Sequence, residues 1–255
     1  RLSLVGSEMC IRDSVAGDVV DSLLNAGHQQ LVSAFAKDQM LTSAHAKDKQ
    51  RQGHLRMCFQ EFLRFMHRQL PNEDAERFDL SRFVSYARFR QMWMEKFGHD
   101  GNAIRNYGPQ LSWHIIRGLI KGTSVDGLLA REDFDELPEE ERTVSRQVYE
   151  TVYDRVWSAW FEPLIRSGEV WDSQDLVRHL IDNDCLPATH CAVFCDEAQD
   201  FTRLELEAIY RCSLFSDRQV DFQSIKRVPF VFAGDPFQTL NPTGFRWETV
   251  RGRIQ

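Results

Sequence analysis

Two short apolar runs near the end of the chain each lead into groups able to do chemistry. In the first, Ala192, Val193, Phe194 and Cys195 precede Asp196 and Glu197; in the second, Val231, Phe232 and Ala233 precede Gly234 and Asp235. Runs of that length, entered and left by polar residues, suit strands buried on both faces of a parallel sheet. Acidic groups just past such strand ends sit where open α/β sheets bind their ligands. Paired carboxylates at one strand tip and a Gly-Asp-x-x-Gln turn at the next, ending at Gln238, are the parts a nucleotide-hydrolysing site needs. One carboxylate holds a hydrated metal ion, one polarises the attacking water, and an amide senses the terminal phosphate. The plainer alternative is an acidic strand-to-helix junction whose carboxylates cap a helix beginning near Thr202. Capping accounts for one acid or two, but not for both motifs together.

The motif DEAQD at 196–200 and the motif GDPFQ at 234–238 resemble motifs II and III of superfamily 1 helicases of the UvrD/Rep type. Two motifs in order, each on its own strand, are far more specific than either alone. The final Asp200 favours that type over the related RNA-helicase branch. The stretches TLNPTGFRW and LSWHIIRGLIKG are also similar to the helicase-like segment of very large proteins that carry TPR and ankyrin repeats. The resemblance implies an ATP-dependent DNA helicase with ATP and Mg²⁺ as cofactors. In it Asp196 holds Mg²⁺ through water, Glu197 is the general base, and Gln238 reports the γ-phosphate. Gln199, Asp235 and Arg246 lie around the nucleotide, and Asp200 couples the site to its neighbours on the nucleic-acid side. Phe245, Arg246 and Trp247 fall where the family stacks an aromatic ring on a base of single-stranded DNA, which tolerates any base. The longer connection at 241–244 leaves the choice between Phe245 and Trp247 open, and packing of both rings under the sheet is the alternative. The implied partner is single-stranded nucleic acid, DNA ahead of RNA.

The elements that must hold these groups are mostly helices. An Ala-rich stretch, HQQLVSAFAKDQML, reads as a short helix, and Lys47, Lys49, Arg51 and Arg56 form a charge run better read as a solvated face than as phosphate contacts. Leu55, Phe59, Phe62, Leu63, Met66 and Leu70 make one apolar stripe, stopped by Pro71. Phe83, Tyr86, Phe89, Trp93 and Phe97 repeat at helical spacing, with Ser81 available near the start and Gly98 past the end. That stripe reads as core rather than as a base-stacking platform. A further helix carries Trp113, Ile116 and Ile120 and ends at Gly122. Lys121, Gly122 and Thr123 are in the wrong order for a phosphate loop, and no glycine-rich Gly-Lys-Thr stretch occurs in the chain. From Glu132 to Glu141 lie seven acidic residues and no base; without spaced Gly or Asn ligands this reads as a solvated loop rather than a metal site.

The longest helix is expected from about Thr143 to Glu162, ended or kinked by Pro163. Asp172 with Asp175 opens the next through Leu176, Val177, Leu180 and Ile181. In the family a similar helix precedes motif II, which raises contact of Gln174 and Asp175 with DNA or nucleotide; helix capping is the blander account. Cys185, His190, Cys191 and Cys195 lack a Cys-x-x-Cys pair, so buried structural thiols are a better reading than zinc.

The chain of 255 residues is 42% hydrophobic and 27% charged, enough to bury a core in one or two domains. A net charge of −7 argues against nucleic-acid binding by bulk electrostatics and leaves a local groove open. No apolar run approaches the roughly 20 residues of a membrane span, and six cysteines without a regular framework point to a soluble, intracellular protein. The opening SLVGSEMCIRD resembles the translation of a transposon-end sequencing adaptor.

The expected fold is α/β: a partial RecA-like P-loop NTPase domain with a large, mainly α-helical insertion. Residues 1–14 are outside the fold, 15–185 form the insertion, and 186–255 form the resumed domain with both motifs. The Walker A lysine and the arginine finger of the family would lie in missing parts of the same polypeptide, and the isolated chain is expected to hydrolyse ATP negligibly. The alternative from another class is a non-catalytic helicase-like scaffold or partner-binding module within a repeat protein. Coding sequence on either side, with or without Gly-Lys-Thr upstream and an arginine-bearing motif downstream, separates the two.

Overall fold

Apolar spacing of three and four residues dominates the chain, and the structure, a computed structural model, is correspondingly helical. It describes residues 62–99, 103–188, 193–195, 198–213 and 230–232. Helix α1 (Phe62–His67) buries Met66 and belongs to a compact unit, 9–68, separate from the one that follows. The basic run and the Ala-rich stretch before it lie outside the described residues.

The aromatic stripe becomes helix α2 (Tyr86–Phe97). Ser85, not Ser81, is its cap and accepts from the Arg88 N–H at 3.2 Å. Ser81 donates to Asp79 within a 3₁₀ turn, and Phe83 stays extended, bridged in parallel to Trp171. Phe89, Trp93 and Phe97 are buried: Phe89 lies 4.8 Å from Trp113 and meets Phe161 edge-on at 5.2 Å. The stripe is therefore core, as the pattern predicts. The Trp93 indole N–H donates to Ser112 at 3.1 Å, so the stripe buries its polar tip with a partner.

Helix α3 (Gly108–His114) starts with Pro in its first turn and continues as a π-helix, Ile115–Lys121, every residue of which is buried. Gly122 ends it, as expected. The acidic run forms two 3₁₀ turns, Glu132–Glu136 and Glu139–Glu141. Phe134 pins the first by stacking on Tyr149 at 4.4 Å.

One helical run follows from α4 (Arg146–Val152) through a π-helical stretch (Tyr153–Phe161) into α5 (Glu162–Arg166). It begins later than predicted and passes Pro163, which sits in the first turn of α5, where its missing N–H is least costly. Helix α6 (Ser173–Asp182) buries Leu176, Val177, Leu180 and Ile181. Strand β1 (Val193–Cys195), helix α7 (Arg203–Arg211) and strand β2 (Phe230–Phe232) complete the described elements. The strands pair in parallel, Val193 with Phe230, Phe194 with Val231 and Cys195 with Phe232. Helices α6 and α7 pack on each other, so the elements on either side of residue 185 share one compact unit. Among the described residues no helix is long and apolar enough to cross a membrane.

Candidate functional site

Cys195 ends β1 and is followed directly by Asp196; its register partner Phe232 ends β2 three residues before Asp235. Strands β1 and β2 thus end level with one another as parallel neighbours. Asp196, Glu197, Asp235, Gln238, Phe245, Arg246 and Trp247 lie outside the described residues, as does the side chain of Gln199. What the structure describes is how the acidic turn ends. Residues 198–200 form one 3₁₀ turn with Ala198 and Asp200 buried, and the Phe201 N–H donates to the Ala198 carbonyl at 3.2 Å.

Helix α7 starts just beyond, with Thr202 as its cap. The Glu205 N–H donates to Thr202 Oγ1 at 3.3 Å and the Thr202 N–H to Glu205 Oε2 at 2.9 Å, a complete capping box. Capping of this helix therefore belongs to Thr202 and Glu205. Glu205 is fully buried and receives the Arg117 guanidinium, one nitrogen at 2.8 Å from each carboxylate oxygen.

A second box caps α6. Asp172 accepts from the Gln174 and Asp175 N–H groups, and Asp175 Oδ2 accepts from the Asp172 N–H at 2.9 Å. Capping is thus the role the structure gives Asp172 and Asp175. Lys121 reaches both, at 2.6 Å to Asp172 and 2.8 Å to Asp175, with its ammonium 5.3 Å from the Trp157 ring centroid and 5.7 Å from that of Phe161. Burial alone would lower the Lys121 pKa; the two carboxylates outweigh it and raise it. Burial and the Asp172 charge raise Asp175 to about 6 against the pull of Lys121. Lys121 is therefore a buried structural cation, in keeping with the order of residues that rules out a phosphate loop.

The π-helix thus grips two helix N-termini, one with Arg117 and one with Lys121. Gly122 lets them close: a Cβ there would lie 2.6 Å from the Arg117 carbonyl oxygen and 2.7 Å from Thr202 Cγ2. The Gly122 carbonyl accepts from the Leu204 N–H at 3.1 Å. Arg178 fastens the following loop to α6 by donating to the carbonyls of Lys121, Ser124, Val125 and Gly127. Arg117, Gln174, Thr202 and Glu205 were not singled out as a set by sequence spacing. The available signal was a pair of basic residues, four apart, inside an otherwise apolar helix.

Among the described residues no cluster of His, Cys, Asp or Glu is placed to hold a metal ion. Cys185, Cys195 and Cys212 are thiols rather than disulfides. Cys212 is buried and its pKa is pushed up to about 12 by burial, whereas Cys185 and Cys195 are only half-buried. His190 and Cys191 lie outside the described residues.

Compared with protein-family models, curated proteins and solved structures, the chain gives no significant match.

Proposed function

We propose that the chain is part of an ATP-driven superfamily 1 motor of the UvrD/Rep type, with 186–255 as a portion of a RecA-like domain and most of the preceding helices inserted into it. The parallel register of β1 and β2 carries the reading. DEAQD and GDPFQ each follow one of these two strands in the sequence, which is consistent with a site at the carboxyl ends of a parallel sheet. Asp196 then holds Mg²⁺ through water, Glu197 takes the proton of the attacking water, and Gln238 senses the γ-phosphate. Asp235 shapes the second turn, and Gln199, Asp200 and Arg246 join the nucleotide to the track on which Phe245 or Trp247 stacks a base.

Electron paramagnetic resonance with Mn²⁺ as the Mg²⁺ surrogate, together with fluorescence anisotropy of an oligo-dT strand, tests this on the chain. Asp196→Asn is expected to weaken Mn²⁺ binding at least about tenfold, the loss of one charged ligand, and to leave oligo-dT binding unchanged. Trp247→Ala and Phe245→Ala together do the reverse. Mn²⁺ binding indifferent to Asp196→Asn, in a variant that melts like the parent, overturns the proposal.

A further inference from the structure

Each basic side chain of the π-helix holds one capping box, and Gln174 joins the two boxes. Its N–H donates to Asp172 Oδ1 at 2.9 Å, and its Oε1 accepts from the Thr202 hydroxyl at 2.9 Å. Gln174 is 1% exposed, and among the described residues its Nε2 has no hydrogen-bond partner. A buried amide with an idle donor costs free energy comparable to a lost hydrogen bond. A methionine of similar length would fill the space without that cost. Among the described residues, the hydrogen bond to Thr202 is what a glutamine adds here over an apolar side chain of that length.

Thr202 stands two residues after DEAQD. Its hydroxyl meets Gln174 Oε1, its N–H meets Glu205 behind Arg117, and Gly122 leaves room for its methyl. The 3₁₀ turn Ala198–Asp200 thus runs straight into the Thr202 cap of α7. We propose that Gln174 is a positioning residue that, through Thr202, fixes the acidic turn at 196–200 against the helical part of the chain. Its consequence for metal binding rests on the reading of Asp196 as the Mg²⁺ ligand.

Gln174→Met in the full chain removes the acceptor and keeps the volume, and Thr202→Val removes the hydroxyl from the other side. Thr202→Ser keeps the hydroxyl, and Tyr149→Phe deletes a hydrogen bond elsewhere in the same unit. Two readouts are taken: hydrogen–deuterium exchange of peptides covering 196–206 against peptides covering helix α2, 86–97, and Mn²⁺ affinity by electron paramagnetic resonance. Gln174→Met and Thr202→Val are expected to raise exchange at 196–206 about tenfold and to weaken Mn²⁺ about fivefold, changes on the scale of one buried hydrogen bond. Thr202→Ser and Tyr149→Phe leave the ratio between the two regions, and the affinity, within about twofold. Exchange that rises equally in both regions overturns the proposal, and so does a local rise with unchanged Mn²⁺ affinity. If the parent chain binds no Mn²⁺ through Asp196, the metal reading fails, and the exchange ratio alone decides whether Gln174 positions the turn.

Discussion

Lys121 is 2% exposed between Asp172, Asp175, Trp157 and Phe161, and removing its charge leaves the buried Asp172 and the half-buried Asp175 without their cation. Lys121→Met is expected to lower the unfolding free energy by about 3–5 kcal/mol, the cost of an uncompensated buried charge. Urea denaturation measures it, and Asp175→Asn added to the same chain should restore part of the loss. His114 gives a pH signature. Burial and the nearby Arg117 charge lower its pKa from 6.5 to about 4, and its Nε2 lies 2.8 Å from the Thr143 hydroxyl. Between those values the unfolded chain binds more protons than the folded one, so this group's contribution falls as pH drops from 6.5 to 4, by up to on the order of 3 kcal/mol. Asp175 acts in the opposite sense: its folded value of about 6 exceeds the ordinary 3.8, so its contribution rises as pH falls through that window. Melting temperatures at about pH 7.5 and pH 5 separate the two: His114→Gln gains stability on acidification relative to the parent chain, and Asp175→Asn loses it.

Among the elements, the π-helix Ile115–Lys121 is the one on which two helix N-termini depend. Gly122→Ala would place a methyl within 2.8 Å of Thr202 Cβ and closer still to the Arg117 carbonyl oxygen. Overpacking of that kind is expected to cost about 1–3 kcal/mol in urea denaturation and to loosen α7 first. Helices α2, α6 and α7 were legible because their apolar residues recur every three or four positions and because Asp172 and Asp175 announce a cap. Their exact ends were less so: Ser81, the residue expected near the start of α2, is engaged with Asp79, and the cap is Ser85. The widening to π geometry at Ile115 and at Tyr153 was not legible. A π turn shows nearly the same apolar spacing as an α turn, and what it changes is where Arg117 and Lys121 point.

At the scale of the whole molecule, a net charge of −7 predicts that any single-stranded DNA binding is local. Oligo-dT affinity measured against salt should have a slope matching no more than about three phosphate contacts; a steeper slope would mean a broad basic face that the composition does not suggest. The aromatic core around Phe89, Trp113 and Phe161 should carry most of the stability, and Phe89→Ala is expected to cost about 3–5 kcal/mol by urea denaturation.

The sequence by itself determined the helical character, the apolar stripes that become the core, the cap at Asp172 and the two acidic motifs at strand ends, because each is written in residue type and short-range spacing. Only the tertiary structure decided that Lys121 pairs with residues 51 positions away and Arg117 with one 88 away. Spacing along one helix cannot say what another brings to meet it. The same holds for Gln174: as a residue in the first turn of a helix it is unremarkable, and its tie to Thr202 exists because α6 and α7 are packed side by side.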